Sequence, residues 1–115
     1  MNIIKLNAID STNLYLKKLA SENTLENFTV VVAEYQTKGR GQMGTKWLSL
    51  KAKNLTFSIL IRVEKFKIEQ QFYLSMAISL GILNVLSGKV QLPLFIKWPN
   101  DILAVKDKVA GVLIE

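Results

Sequence analysis

The pattern of apolar and polar positions changes period several times along this 115-residue chain, and each change marks an element. Ile3 to Ile9 is mostly apolar, with Lys5 and Asn7 interposed, and predicts a short opening strand. Asp10-Ser11-Thr12-Asn13 follows, a run of side chains that can each cap a helix. A helix is therefore expected over residues 12–21, with Leu16, Leu19 and Ala20 toward the core. Phe28 to Tyr35 is apolar and β-branched, the pattern of a strand largely buried on both faces, and Leu55 to Arg62 predicts a second buried strand. Ile68, Phe72, Met76, Leu80 and Leu83 recur at helical spacing, predicting a helix over residues 68–86. Leu94 to Trp98 reads as a strand stopped by Pro99, and Asn100-Asp101 as a turn. Ile102 to Val105 and Val109 to Ile114 then form a hairpin across Lys106-Asp107-Lys108. Mixed strands and helices point to an α+β or α/β fold. Because Leu113-Ile114-Glu115 falls inside a strand pattern, the chain is expected to be the front part of a larger domain.

Between the two buried strands lies Gln36-Thr37-Lys38-Gly39-Arg40-Gly41-Gln42-Met43-Gly44-Thr45-Lys46-Trp47. Three glycines within six residues let backbone N–H groups approach a ligand closely and can cradle an anion. Gly39, Gly41 and Gly44 also fit the dinucleotide-binding spacing, but that motif needs a helix opening on the glycines. Residues 46–54 carry no helical pattern. A Walker A loop is excluded, since no Gly-Lys-Ser/Thr follows. Taken alone, the segment reads equally well as a surface loop between strands.

Composition narrows the chemistry. The chain has neither cysteine nor histidine. That excludes a disulfide framework, a thiol nucleophile, a zinc site of the usual ligand types and any His-dependent triad. Absence of cysteine fits a reducing, cytoplasmic compartment. No export signal is visible, and Leu74 to Leu86 is too short to span a bilayer. Fifteen basic residues against nine acidic give a net charge of +6, suited to anionic partners. The lysines are scattered rather than striped and no nucleic-acid-binding motif is present. Only two of the fifteen are arginines, and Arg40 is one of them.

Asp10-Ser11-Thr12-Asn13, the Gly39-Arg40-Gly41 loop, Lys97-Trp98-Pro99-Asn100-Asp101 and Lys108-Val109-Ala110-Gly111-Val112-Leu113-Ile114-Glu115 occur in this order. Together they resemble the catalytic domain of the biotin–protein ligases over nearly the whole chain. The resemblance implies a mixed β-sheet flanked by helices, of the class II aminoacyl-tRNA synthetase and biotin ligase type, of which residues 1–115 would be the N-terminal part. It implies two steps. Biotin's carboxylate attacks the α-phosphate of ATP to give biotinyl-5′-AMP and pyrophosphate, and a carrier-protein lysine then attacks the mixed anhydride. The substrates would be biotin and ATP, with Mg²⁺ assisting, and the partner a biotin carboxyl carrier domain. No side-chain nucleophile and no protein-held metal is needed.

Residue by residue, the resemblance places Ser11, Thr12, Asn13 and Gln36 at biotin, together with Gly39, Arg40, Gly41, Gln42, Lys108 and Gly111. Arg40 and the backbone of Gly39 and Gly41 would wrap the carboxylate and the phosphate. Trp47, Lys97, Asn100, Asp101 and Arg40 would serve the nucleotide. Arg40 and Lys108 are the expected catalytic residues. Ser11 could also be only a helix N-cap, Lys108 a solvated hairpin lysine, and Gly111 a bulge or a close backbone approach. Relatives often carry arginine where this chain has Gln42, which leaves Arg40 and Lys46 as the charges of the loop. The competing expectations are a lipoate- or octanoate-handling relative and a biotin-binding fragment without turnover. A start directly on the catalytic domain predicts no winged-helix DNA binding, no membrane partner is expected, and pairing of sheet edges leaves a homodimer open.

Overall fold

A computed structural model describes all 115 residues, arranged as two compact units, residues 1–64 and 65–115. No helix is long and apolar enough to cross a membrane.

In the first unit, strand β1 (Ile3–Ile9) leads into helix α1 (Thr12–Glu22), which returns the chain to β2 (Val30–Gln36). The crossover makes β1 and β2 parallel, with Ile3 opposite Val30 and Ile9 opposite Gln36. This register sets the end of β2 beside the start of α1. Ser11 caps α1, its side chain accepting from the Leu14 N–H at 3.4 Å. Phe28 turns at a positive φ of 63°, so β2 begins only at Val30. Its first four residues are well covered and Glu34 is exposed. The next long strand, β5, spans only Thr56–Ile59 and runs antiparallel to β2. It is an edge strand in the order β1-β2-β5, and Phe57 and Ile59 are exposed. The expected buried strand over residues 55–62 is therefore shorter and covered on one face only: α1 packs on β2 and β5, and Ser58 is the buried position.

The glycine segment is not an irregular loop. Strands β3 (Gly39–Arg40) and β4 (Lys46–Trp47) pair antiparallel around a short 3-10 turn at Gln42–Gly44. Gly41 N donates to Thr45 O at 2.7 Å and Thr45 N to Gln42 O at 3.1 Å. Gly44 takes φ +75°, the left-handed region a glycine enters without a Cβ penalty.

In the second unit, a 3-10 turn at Ile68–Gln70 precedes α2 (Gln71–Ser87). Of the five apolar positions at helical spacing, Met76 and Leu83 are half-buried and Ile68, Phe72 and Leu80 are exposed. Ile68 is 81% exposed and Leu80 is 55% exposed, while Ser75 and Ser79 are buried. The helix is apolar on nearly every side, so periodicity alone does not choose a face. Its side chains at i and i+4 share a face, and the small pair Ser75 and Ser79 fills it, with α2 packed on β6 and β7.

Strands β6 (Leu94–Lys97), β7 (Asp101–Ala104) and β8 (Asp107–Gly111) form an antiparallel meander in that order. The turn after β6 covers residues 98–100, and Asp101 already belongs to β7. Val105-Lys106 makes the hairpin turn, with Val105 at φ 58°. Asp107 and Lys108 are thus strand residues, not the tip expected of them, and β8 ends at Gly111, before Ile114.

Candidate biotin and nucleotide site

Ser11, Thr12, Asn13, Gln36 and Gly39 meet in the first unit. Thr12 and Gln36 are both buried, and Thr12 donates its backbone N–H to Gln36 Oε1 at 2.8 Å. The Thr12 hydroxyl lies 3.0 Å from the same oxygen and 2.8 Å from Ser58 Oγ. Ser58 in turn contacts the amide of Asn13. The parallel register of β1 and β2 makes this possible, because Gln36 closes β2 where α1 opens. Ser11 does act as an N-cap, and its own N–H donates to Asp10 Oδ1 at 2.7 Å. The Gln36 carbonyl oxygen is engaged with Thr12, which turns the amide nitrogen the other way, toward Gly39.

Ser58 was not among the residues the sequence singled out. The available signal was weak: one small polar side chain in the apolar strand Leu55-Thr56-Phe57-Ser58-Ile59, where a buried hydroxyl requires a partner.

Gly39 is present for space. A Cβ built on it would stand 2.5 Å from Trp47 O, 2.9 Å from Gln36 Nε2 and 3.2 Å from Trp47 Cβ. Gly41 is crowded mainly by Thr45 Oγ1, the end of a rotatable side chain. Gly39→Ala is therefore expected to destabilise the chain by about 1–3 kcal/mol, the scale of overpacking, and Gly41→Ala by less. Urea denaturation midpoints check this ranking, and a Gly39→Ala midpoint equal to wild type would contradict it. Arg40 and Gln42 are exposed on the ribbon, and Trp47 is half-buried in β4 opposite Gly39.

The second unit collects the other group on one sheet face. Lys97 stands opposite Asp101, and Asp101 stands opposite Gly111. Opposed residues of an antiparallel pair share a face. Lys108 stands opposite Leu103, two residues from Asp101 and so on the same face. Its ammonium lies 2.8 Å from Asp101 Oδ1. The register slips between Ile102 and Leu103, leaving Val109 as the extra residue of a bulge. Without the bulge Ala110 would oppose Asp101; with it Gly111 does, and no side chain covers that end of the row. The bulge thus falls two residues before the glycine that was its candidate. Two lysines around one carboxylate leave the face net positive. Asn100 is committed to structure: its Nδ2 donates to Val112 O at 2.8 Å, and Val112 N returns a bond to Asn100 O at 2.9 Å.

No group of three or more His, Cys, Asp or Glu side chains is arranged to hold a metal. A lone carboxylate such as Asp101 suits only a Mg²⁺ that arrives on nucleotide phosphates.

The chain is similar to known proteins over nearly its whole length. The bifunctional ligase/repressor BirA of Salmonella typhimurium is 38% identical over 114 residues, covering 99% of this chain and 35% of that protein. The biotin–[acetyl-CoA-carboxylase] ligase of Mycobacterium tuberculosis is 33% identical over 108 residues, covering 91% and 41%. Among solved structures, the biotin protein ligase from Aquifex aeolicus in complex with biotin and ATP matches at a TM-score of 0.84 and 38% identity, covering 99% of this chain and 46% of that one. The α+β fold is therefore the biotin-ligase one, and the chain spans less than half the length of each of these relatives. A model of the Biotin/lipoate A/B protein ligase family matches residues 6–115, and the chain belongs to that family.

Proposed function

We propose that this chain forms the biotin- and adenylate-binding part of an ATP-dependent biotin–protein ligase. The reaction joins biotin's carboxylate to the α-phosphate of ATP and passes the biotinyl group to a lysine of a carboxylase carrier domain. The observation that carries this reading is the cluster of buried Thr12, Gln36 and Ser58 with half-buried Asn13, which offers several directed hydrogen-bonding groups and neither a cysteine nor a histidine. Such a set suits a neutral, polar ring better than an ion.

Charge is assigned to separate places. Arg40, on the glycine ribbon, faces the carboxylate and phosphate. Lys108, on β8, is assigned the same kind of role, a cation for developing charge. Adenylation brings one anion onto another, so cations and N–H donors that tighten as charge develops are what the step requires. Lys97 and Asp101 serve the nucleotide, Asp101 assisting a Mg²⁺ that neutralises phosphate oxygens when bound. Trp47 offers the adenine an apolar surface. Ser11, Gly39, Gly41, Gln42 and Gly111 border biotin, and Asn100 acts by holding Val112. The carrier domain is the protein partner, and the cytoplasm, where carboxylases meet ATP, the place of action.

Biotin is preferred to lipoate because two of the three relatives above are named for biotin and the cluster is polar. Titration calorimetry with biotin and with lipoate, followed by biotin-dependent ATP–pyrophosphate exchange, tests the reading. Biotin binding with exchange is expected. Preference for lipoate would overturn the substrate, and biotin binding without exchange would leave a binding module.

A further inference from the structure

Three oxygen–oxygen contacts run through the buried cluster: Gln36 Oε1 to Thr12 Oγ1, Thr12 Oγ1 to Ser58 Oγ, and Ser58 Oγ to Asn13. Each hydroxyl carries one proton. With Asn13 Oδ1 facing Ser58, two protons must serve three contacts, and one contact sets lone pair against lone pair. Thr12 is 3% exposed and Ser58 is 7% exposed, so the two hydroxyls have little access to water, and only the Asn13 end is half-exposed. Gln36 cannot be turned to help. The Thr12 backbone N–H already donates to its Oε1, and the opposite orientation would set donor against donor.

Turning the Asn13 amide end for end resolves the count. The two ends have nearly the same shape, so the hydrogen-bond network decides between them. Asn13 Nδ2 then donates to Ser58, Ser58 to Thr12, and Thr12 to Gln36, with one proton in every contact. The direction is pinned by a backbone N–H at one end and leaves Asn13 Oδ1 pointing away from Ser58.

We propose that Ser58 is a positioning residue for ligand recognition: it holds the Asn13 amide with its nitrogen inward and Oδ1 outward, so that the site presents an acceptor to a ligand N–H. This rests on the biotin reading above. The ureido ring of biotin carries two N–H donors, whereas the dithiolane ring of lipoate carries none. A site built to bond a substrate N–H rejects an analogue lacking it far more strongly than an apolar pocket rejects a missing methylene. Ser58 thereby acts on the choice between biotin and lipoate without needing to touch either.

Two measurements test the proposal. In the ligand-free chain, ¹⁵N-resolved NOE spectra are expected to connect the Asn13 side-chain NH₂ to the Ser58 β-protons. Absence of that cross-peak, with the amide exchanging as a free one, overturns the proposal whatever biotin does. The second measurement is calorimetry with biotin and with its two cyclic carbamate analogues, each having one ring N–H replaced by oxygen. Wild type is expected to discriminate against one carbamate by roughly tenfold or more, the scale of a lost hydrogen bond within a polar site. In Ser58→Ala that ratio should fall toward one, and Ser58→Thr should restore it. A purely structural role would weaken all three ligands together, so an unchanged ratio in Ser58→Ala overturns the positioning role. If wild type binds no biotin, the biotin reading fails and its ligand consequence with it, while the NOE still reports the amide orientation separately.

Discussion

Arg40→Ala is expected to lower biotin-dependent pyrophosphate release by roughly 10²–10³-fold, the scale for losing one contact to developing charge. Arg40 sits in β3 opposite Lys46, on a ribbon closed by the Gly41–Thr45 bond and by the tight turn at Gln42–Gly44. Its backbone is held while its side chain remains exposed, which suits a group that swings onto an anion and then binds it. Gln42 can donate a hydrogen bond but carries no charge, so the ribbon cannot replace the lost guanidinium at that place. Lys46 supplies only a point charge, without the bidentate fork that matches carboxylate or phosphate. Arg40→Lys should therefore recover part of the loss and not all of it. Steady-state pyrophosphate release at saturating biotin and ATP measures the effect, and near-normal release by Arg40→Ala would remove Arg40 from the chemistry.

The second large effect is expected at Lys108. Lys108→Ala should reduce adenylate formation by a similar 10²–10³-fold, and for two reasons that add. The cation that would meet the carboxylate and α-phosphate is gone. Asp101 also loses the ammonium 2.8 Å away, and a carboxylate left with only Lys97 opposite it repels the incoming phosphates more strongly. Lys108→Ala combined with Asp101→Asn separates the two. If repulsion contributes, the double variant is faster than Lys108→Ala alone, because the residual negative charge is removed. Single-turnover formation of biotinyl-adenylate is the measurement, and wild-type rates for Lys108→Ala would show that Lys108 is only a hairpin lysine on a solvated strand.

Much of the molecule was legible in one dimension. The opening strand matches residue for residue, the start of α1 follows from its cap, and α2 follows from a long apolar run without proline. These signals are local: a side-chain oxygen beside an N–H, or a repeat of apolar positions along one segment. The ordered set of segments at Ser11, Gly39, Lys97 and Lys108 also carried the family, since each is a short contiguous string.

Misreadings arose where a neighbour decides. Ser75 and Ser79 are the buried positions of α2, which helical spacing of the apolar residues did not single out, because a helix apolar on all sides takes its orientation from the surface it meets. The glycine segment became a paired ribbon because Trp47 can come back against Gly39 only once both are folded. The bulge at Val109, which sets Gly111 rather than Ala110 opposite Asp101, is a property of two strands in register and is invisible in either alone.

The amino-acid sequence by itself thus determined the class of fold, the family, and an inventory of polar and cationic side chains with neither cysteine nor histidine, because composition and local spacing are written in contiguous residues. Only the tertiary structure decided that Ser58 joins Thr12, Gln36 and Asn13, because a hydroxyl 46 residues away from Thr12 in the chain becomes its neighbour through strand pairing alone. With it came the proton count on which the proposed orientation of Asn13 rests, since that count acquires meaning only when the oxygens that share the protons are brought together.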